Sequence, residues 1–427
     1  MESLLRDIFL TLSNFFLIYL IGNSLNLSFL TIKGIKKSKR ARKQQEYHNR
    51  LNHDYYIPVS IIVSTEDDEK KIETCLKALQ NLNYKLYEIV IVDNGSIDRT
   101  TEIIITKYEL KKVNRPIHRV LPTGELTGIY QNSNQKIKIT LITKSKTKKK
   151  DALNAGINVA EYPYVIFITP NFVLKKETLE NLVRPILEDD KVIICNGTLQ
   201  IGSEQSKTQE YTFPTSFLSK LQVFEWNRKN NIEQVYRYLP SLTLFKKDMI
   251  QVVKGFNEEA IGENFELMHK IKNKITEKEN NKIKESNNAV ALYNPTSNII
   301  EFMKQRYKQY HGLKKSLKKE YQGSRNLINK IKILDYWFYG KYSSWITLLG
   351  TISLIMSCMN KTIELQNIII FFTIYILFCS TLSFCLFLIN LWEKQQKISF
   401  FNFLKSMFWA VCDNTLLPIL LFFIKIP

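Results

Sequence analysis

Apolar residues in the middle of the chain alternate between short β-type runs and helical periods. Val59–Val63 and Tyr87–Val92 are rich in β-branched residues, and apolar residues recur with helical spacing between them, over Glu69–Leu82. This order predicts a right-handed crossover that joins two parallel strands. Tyr164–Ile168 predicts a further strand, and Glu177–Leu187 predicts a further helix. The pattern indicates an α/β fold in which ligand clefts lie at the carboxyl ends of the strands.

Long uncharged segments near both ends of the chain predict transmembrane helices. Ile8–Ile32, Tyr342–Asn360 and Leu365–Trp392 are each long and apolar enough to cross a bilayer core, which takes about 20 helical residues. For the first segment a cleaved signal peptide is the alternative, but its apolar part is too long and its basic cluster follows it. A later segment, residues 406–424, contains Asp413 near its middle, so spanning, re-entry and surface binding all remain open for it.

The charge of the chain is strongly positive, with 60 Lys and Arg against 40 Asp and Glu and a formal net charge of +20. Such a balance predicts an anionic partner, which could be a lipid surface, a nucleic acid or a phosphorylated substrate. One basic run, residues 33–43, directly follows the first apolar segment, and the positive-inside rule then places the large domain in the cytoplasm. We therefore expect a multi-pass cell-membrane protein that contacts membrane lipid. No nucleic acid partner is expected, because no recognition-helix pattern or aromatic repeat is present.

These patterns divide the chain into five parts. Before the C-terminal spans, apolar and basic residues interleave at helical spacing, which predicts an interfacial helix; a core-facing amphipathic helix is the alternative. The expected parts are an N-terminal transmembrane anchor (1–33), a basic cytoplasmic linker (34–55), a cytoplasmic domain (56–328), the interfacial helix (329–344) and a C-terminal transmembrane region (345–427).

Asp93 ends the second predicted strand, within the segment Val92-Asp93-Asn94-Gly95-Ser96. The Asn-Gly pair favours a turn, and a carboxylate at a strand tip can accept hydrogen bonds from a ribose or a base. A turn followed by an ordinary helix cap has the same pattern, so this segment alone leaves both interpretations open.

Several further segments occur in a fixed order along the chain. They are Pro58-Val59-Ser60-Ile61-Ile62-Val63, Asp93-Asn94-Gly95-Ser96, Lys149-Lys150-Asp151-Ala152-Leu153-Asn154-Ala155-Gly156, Tyr162-Pro163-Tyr164-Val165, Gly255-Phe256-Asn257-Glu258, Gly262-Glu263 and Gln305-Arg306. In this order they resemble the landmarks of the processive family-two glycosyltransferases, such as cellulose, poly-N-acetylglucosamine and hyaluronan synthases. The resemblance implies a nucleotide-sugar-transferase fold of the GT-A type, a mixed sheet flanked by helices.

The resemblance also implies a nucleotide-binding site for a UDP-sugar or UDP. It assigns Asp93 and Asp151 to the region that holds uridine, together with Lys149. The family's opening loop usually has an aromatic and an acidic residue; here Asp68 supplies the acid, and no aromatic residue is present in Ser64–Asp68.

A metal site is implied after the strand Tyr164–Ile168, where the family has an Asp-x-Asp turn. This chain has Thr169 and Asn171 in those positions. A hydroxyl and an amide supply no anionic charge for Mg²⁺ or Mn²⁺, which prefer carboxylate oxygens. No cofactor is therefore expected unless other residues rebuild the site.

The general base and the acceptor platform differ from the family as well. The resemblance assigns the base to position 264, which is Asn264 here, and an amide cannot usefully accept a proton at neutral pH. Glu263 and Glu266 are the candidate substitutes, and Glu263 is the one we assign. In the diphosphate and acceptor motif the chain has Gln305 and Arg306, but Lys308 stands where the family has arginine.

Two functions follow from these differences. The first is an accessory, transferase-like subunit with impaired or lost activity, acting beside an active synthase or export subunit in cell-surface polysaccharide synthesis. The second is an active, metal-independent or atypical glycosyltransferase in which lysines neutralise the diphosphate of a nucleotide sugar.

Overall fold

The computed structural model describes most of the α/β region and parts of the terminal helices. The described residues are 7–22, 25, 28, 29, 32, 56–132, 137–202, 216–233, 242–256, 267, 268, 270, 271, 274, 281–304, 306, 307, 343–360, 364–393, 404 and 406–412.

A mixed sheet of ten strands is the centre of the described α/β region, with the order β3-β4-β5-β2-β1-β6-β9-β8-β10-β7. The strands are β1 (Val59–Thr65), β2 (Tyr87–Asp93), β3 (Lys111–Lys112), β4 (Leu126–Gln131), β5 (Lys138–Lys144), β6 (Tyr164–Ile168), β7 (Phe172–Leu174), β8 (Val192–Ile201), β9 (Thr243–Lys246) and β10 (Lys282–Tyr293).

Helices connect several of these strands, and further described helices precede and follow the sheet. The bounded helices are α1 (Asp7–Gly22), α2 (Ile72–Gln80), α3 (Thr100–Lys107), α4 (Lys149–Val159), α5 (Thr178–Glu188), α6 (Phe217–Glu233), α7 (Lys247–Val252), α8 (Ser343–Met359) and α9 (Leu365–Glu393).

The predicted crossover is confirmed, because α2 connects β1 and β2 and the two strands pair in parallel. Every residue of both strands is buried, which explains why both are rich in β-branched residues. β5 and β6 extend the parallel part on either side, so the carboxyl ends of four neighbouring strands meet at one edge. The mixed α/β sheet expected from the sequence is therefore present.

Helix α4 packs closely on the parallel strands because it contains a glycine at the contact. A Cβ on Gly156 would lie 2.5 Å from Ile62 Cγ2 and 3.1 Å from Val92 Cγ2. On the same helix the buried Asn154 holds the backbone of Phe256: its Oδ1 accepts from the Phe256 N–H at 3.0 Å, and its Nδ2 donates to the Phe256 carbonyl at 3.2 Å. Two segments that the sequence singled out separately are thus joined. Their contacts hold α4 in place on the sheet.

The contacts divide the chain into two compact units. One consists of residues 49–214 and 239–295 and contains the sheet; the other consists of residues 1–48, 215–238 and 296–427. The sequence placed residues 215–238 inside the 56–328 domain, but Phe224 of α6 packs with Phe384 of α9, in the second unit.

Within the second unit, α1 and α8 are joined by small and polar side chains. The Ser13 hydroxyl lies 3.2 Å from that of Ser353 and 3.0 Å from that of Ser357. The ring of Phe16 packs where a Cβ on Gly350 would lie. Close helix contacts of this kind suit an apolar environment, in which buried hydroxyls need partners.

Among the described residues, one helix is long and apolar enough to cross a membrane, with its apolar part at Leu365–Cys385. Its 21 residues give a length of about 32 Å at 1.5 Å per residue. Helix α1 is apolar but shorter. The remaining predicted spans and the multi-pass topology stay predictions, and most of the predicted interfacial helix (329–344) and of segment 406–424 lies outside the described residues.

Candidate functional site at the strand ends

Asp93 is the last residue of β2 and is almost fully buried. Its Oδ1 accepts hydrogen bonds from the Ser96 amide at 3.1 Å and the Ser96 hydroxyl at 2.6 Å, and its Oδ2 accepts one from the Thr101 hydroxyl. The carboxylate therefore closes the turn onto the start of α3. A carboxylate has about four acceptor positions, so these three hydrogen bonds leave one unused.

Asp151 lies in the first turn of α4, where its carboxylate accepts two hydrogen bonds and forms an ion pair. Its Oδ1 accepts from the Gly124 amide at 2.9 Å, its Oδ2 accepts from the Thr147 hydroxyl at 2.9 Å, and the Lys144 ammonium forms an ion pair with it. The Lys144 side chain is fully buried, and burial lowers the pKa of its ammonium. Asp151 therefore neutralises a cation inside the protein as well as facing the strand-end region.

Asn94 is a residue of this site to which the sequence assigned only a turn. It is buried, and its Nδ2 donates to the Thr147 carbonyl at 2.7 Å and to Glu66 Oε2 at 3.1 Å. Its Oδ1 accepts from the Thr147 amide at 3.2 Å and from the Thr147 hydroxyl at 3.0 Å. One side chain thus ties together the loops that follow β1, β2 and β5. The signal for this role in the sequence was the residue type, because an asparagine side chain can both donate and accept hydrogen bonds.

The loop after β1 places Asp68 beside these groups. Asp68 Oδ2 accepts from the Thr65 hydroxyl at 3.2 Å and from the Glu66 amide at 3.3 Å, and burial raises the pKa of its carboxyl. Glu66 is exposed and pairs with Lys146 at 2.8 Å; this hydrogen bond lowers the pKa of Glu66. Three predicted residues, Asp68, Asp93 and Asp151, therefore share the edge where β1, β2 and β5 end.

The turn after β6 has no negative charge of its own. The Thr169 carbonyl accepts from the Phe172 amide at 3.0 Å, and the Asn171 carbonyl accepts from the Asn294 amide at 3.0 Å. Cys75 lies under the turn, and burial raises the pKa of its thiol to about 12, so it is a protonated packing residue. The first bond closes the turn, and the second joins it to the residue that follows β10.

A divalent metal does not fit the described part of this edge. Within the described ranges, no three His, Cys, Asp or Glu side chains are grouped so that they could hold a metal ion. Thr169 and Asn171 offer a hydroxyl and an amide, and hard cations prefer carboxylate oxygens. The groups that the turn after β6 presents are therefore poor ligands for Mg²⁺ or Mn²⁺.

Comparison with known proteins gives the family of this region. Residues 60–253 match the model described as glycosyl transferase family 2. These residues form a glycosyl transferase family 2 domain. The matched range contains β2 to β9 and all of β1 except Val59, and therefore the strand-end residues described above.

Curated relatives of the family 2 domain are poly-beta-1,6-N-acetyl-D-glucosamine synthases. Those of Staphylococcus aureus (strain COL) and Staphylococcus epidermidis are each 23% identical to this chain, over 226 and 227 residues, covering 52% of the chain and 47% of the relative. The chain thus matches about half the length of these relatives. It is related to poly-N-acetylglucosamine synthases, which is consistent with polysaccharide synthesis.

A solved structure supports the fold. A mannosyltransferase from Pyrobaculum calidifontis, in complex with GDP-Man and Mn²⁺, matches 90% of this chain and 99% of its own with a TM-score of 0.57 and 15% identity. At this identity the likeness shows the GT-A-like fold alone.

The remaining predicted site residues are Lys149, Glu263, Asn264, Gln305, Arg306 and Lys308. Lys149 opens α4 and is exposed, whereas Glu263, Asn264, Gln305 and Lys308 lie outside the described residues. Their roles stay predictions.

Arg306 is described, and it belongs to the second unit. Its guanidinium donates to the fully buried Glu225 carboxylate at 2.5 Å and lies 5.1 Å from the centre of the Phe302 ring. This pairing anchors Arg306 to α6. Glu225 could not be predicted from the sequence, because its partner is 81 residues away.

Proposed function

We propose that this protein is a membrane-bound glycosyltransferase-like protein of cell-surface polysaccharide synthesis. In this proposal its transferase activity is impaired or lost, and it has an accessory role beside an active synthase or export subunit. Support comes from the family 2 domain and from its relationship to poly-N-acetylglucosamine synthases.

The observation that supports this proposal most directly is the contrast within the strand-end edge. Side chains that hold the backbone in place, such as Asn94 and Asn154, are buried and fully engaged. Thr169 and Asn171 stand where an ion would need carboxylates. A domain that has these internal contacts but lacks carboxylates to coordinate a metal ion is better suited to binding a nucleotide than to transferring a sugar.

Membrane attachment is part of the proposal. It is supported by the apolar stretch Leu365–Cys385, which has 21 residues, and by the basic run at residues 33–43. In this arrangement the α/β domain is cytoplasmic.

The proposed ligand is UDP or a UDP-sugar, held without a metal ion. Asp93 retains one acceptor position, and Asp151 presents a partly exposed carboxylate, so both could accept hydrogen bonds from a nucleoside. The mannosyltransferase of similar fold was solved with GDP-Man, which makes a nucleotide sugar the first ligand class to test.

Calorimetric titration of the full chain in detergent with UDP, with and without Mn²⁺, tests this proposal. We expect binding that does not depend on Mn²⁺, weaker binding in Asp151→Asn, and no hydrolysis or transfer when UDP-N-acetylglucosamine is supplied. Lys111→Ala, an exposed change on β3, is the matched control and should bind as the unchanged chain does. Turnover that requires Mn²⁺ contradicts the proposal.

An active, metal-independent transferase is the second candidate, and the position of Lys146 favours it. Its ammonium is exposed and lies 2.8 Å from Glu66, beside the strand-end carboxylates, where it could move to a diphosphate. Glu263 is then the candidate base. Turnover in the presence of a metal chelator, with loss of activity in Glu263→Gln, supports this alternative; full activity in Glu263→Gln refutes the assignment of the base.

A further inference from the structure

A cleft separate from the strand-end residues lies at the outer edge of the sheet. It has a volume of about 620 Å³ and lies between the segment that follows β3 and the first half of β4. β3 has two residues, Lys111 and Lys112, and pairs with Tyr130 and Gln131 at the far end of β4. The first half of β4 therefore has no pairing with β3. The volume is within the usual range for small-molecule sites, about 300–1,000 Å³.

The charge of the cleft is entirely positive. Lys112, Arg115 and Arg119 line it, and no acidic residue does. Lys112 and Arg119 are exposed, and neither forms an ion pair with any carboxylate in the described part of the chain. Two exposed cations beside a fixed third cation attract an anion of more than one charge.

Arg115 is the fixed cation of this group. Its Nη2 donates to the Val159 carbonyl at 2.8 Å, and its Nη1 pairs with Glu161, which also binds Lys138. Its Nε is buried and has no hydrogen-bond partner among the described atoms. Arg115 therefore supplies a positive charge at a fixed position beside the two exposed cations.

The wall of the cleft is apolar and held in place by the domain core. Ile117, Leu126 and Ile129 line the cleft and pack against the main core cluster at the same time. Cations above an apolar wall can bind a ligand that has both a charged group and an apolar or ring-shaped body.

We propose that this cleft binds a phosphate-bearing small molecule. Lys112 and Arg119 contact the phosphate oxygens, Arg115 adds a fixed positive charge, and Ile117 and Ile129 contact the rest of the ligand. A guanidinium matches a phosphate with paired hydrogen bonds, and an ammonium adds a movable charge. Such a ligand could be a soluble phosphate ester or the headgroup of a lipid.

The test uses the full chain in detergent and two probes, inorganic pyrophosphate and the soluble short-chain lipid dihexanoyl phosphatidic acid. We expect at least one probe to bind by calorimetry, and Lys112→Ala and Arg119→Ala each to weaken that binding about tenfold, as for hydrogen bonds to a charged group. Both side chains are exposed, so these variants should fold. Tighter binding of the lipid indicates a headgroup as the ligand, and tighter binding of pyrophosphate indicates a soluble ester.

Two control variants distinguish binding in the cleft from attraction to the overall positive charge and from binding at the strand ends. Lys111→Ala removes the lysine next to Lys112 that does not line the cleft, and Lys146→Ala removes a lysine at the strand-end edge. Both should leave probe binding unchanged. The proposal is overturned if neither probe binds, if Lys111→Ala weakens binding as much as Lys112→Ala does, or if Lys146→Ala alone abolishes it.

Discussion

The ends of β2 and β6 lie at the same edge of one sheet, yet they differ in what holds them. At β2 and the neighbouring β5, Asp93, Asn94 and Lys144 form a dense set of polar contacts that the protein satisfies by itself. At β6, the turn from Thr169 to Asn171 is held by backbone hydrogen bonds and has no charged side chain. Internal partners stabilise the first group without any ligand, whereas acidic side chains at the second would repel each other without an ion.

Among changes that test this comparison, the largest loss of stability is expected at the buried ion pair of Lys144 and Asp151. Lys144→Met should destabilise the α/β domain by about 3 kcal/mol, because it leaves Asp151 without its cation in a mostly buried position. Thermal unfolding in detergent, followed by circular dichroism, measures the loss. The double variant Lys144→Met/Asp151→Asn should lose less than the sum of the two single changes.

Lys146→Met is the matched control for that experiment. Its ammonium is exposed and pairs with the exposed Glu66, so its loss should cost less than about 0.5 kcal/mol. Equal losses in Lys144→Met and Lys146→Met would show that the β2 and β5 ends are not held by the buried pair.

The next largest effect is expected where α4 meets Phe256. Asn154→Ala removes two hydrogen bonds and leaves a buried amide and a buried carbonyl without partners, at a cost of about 2 kcal/mol. The same unfolding measurement applies. Ser145→Ala, at an exposed position before α4, should unfold as the unchanged chain does; an equal effect of both changes would contradict the assigned role of Asn154.

Adding carboxylates to the β6 end tests whether the lack of charged side chains there is what distinguishes it from the β2 end. We expect Thr169→Asp/Asn171→Asp to be less stable than the unchanged chain in a metal chelator, and to regain about 1.4 kcal/mol when Mn²⁺ is at ten times its dissociation constant. Thermal shift against Mn²⁺ concentration measures this. A second variant with Glu at both positions controls for geometry. Stabilisation of the unchanged chain by Mn²⁺ to the same extent would show that a metal already binds without these carboxylates.

The smallest effect is expected at Glu66, whose pKa is lowered by the hydrogen bond from Lys146. A lowered carboxyl pKa stabilises the folded state above the ordinary pKa, and this contribution is lost as the pH falls through the folded-state value. Since both side chains are exposed, Glu66→Gln should cost less than about 0.5 kcal/mol at pH 7 and less at pH 3 than at pH 7. Unfolding at the two pH values measures the difference, and a larger loss at pH 3 would contradict the sign.

Much of the sheet could be predicted because its signals are local. The buried strands β1, β2 and β6 are rich in apolar residues, and the strand predicted at Tyr164–Ile168 has the same bounds in the structure. The placement of Asp93 at a strand end followed from the turn-forming residues after it. The cleft beside β4 gave no such signal, because its cations and its apolar wall come from two segments with unrelated local patterns.

The sequence alone determined the class of fold, the apolar helix near the C-terminus and the absence of acidic residues at Thr169 and Asn171, since these depend on residue type and on short-range spacing. The tertiary structure decided which polar groups satisfy each other. Asn154 meets Phe256 across 102 residues, and Arg306 meets Glu225 across 81. A buried hydrogen bond depends on where the chain returns after folding, and local pattern does not contain that information.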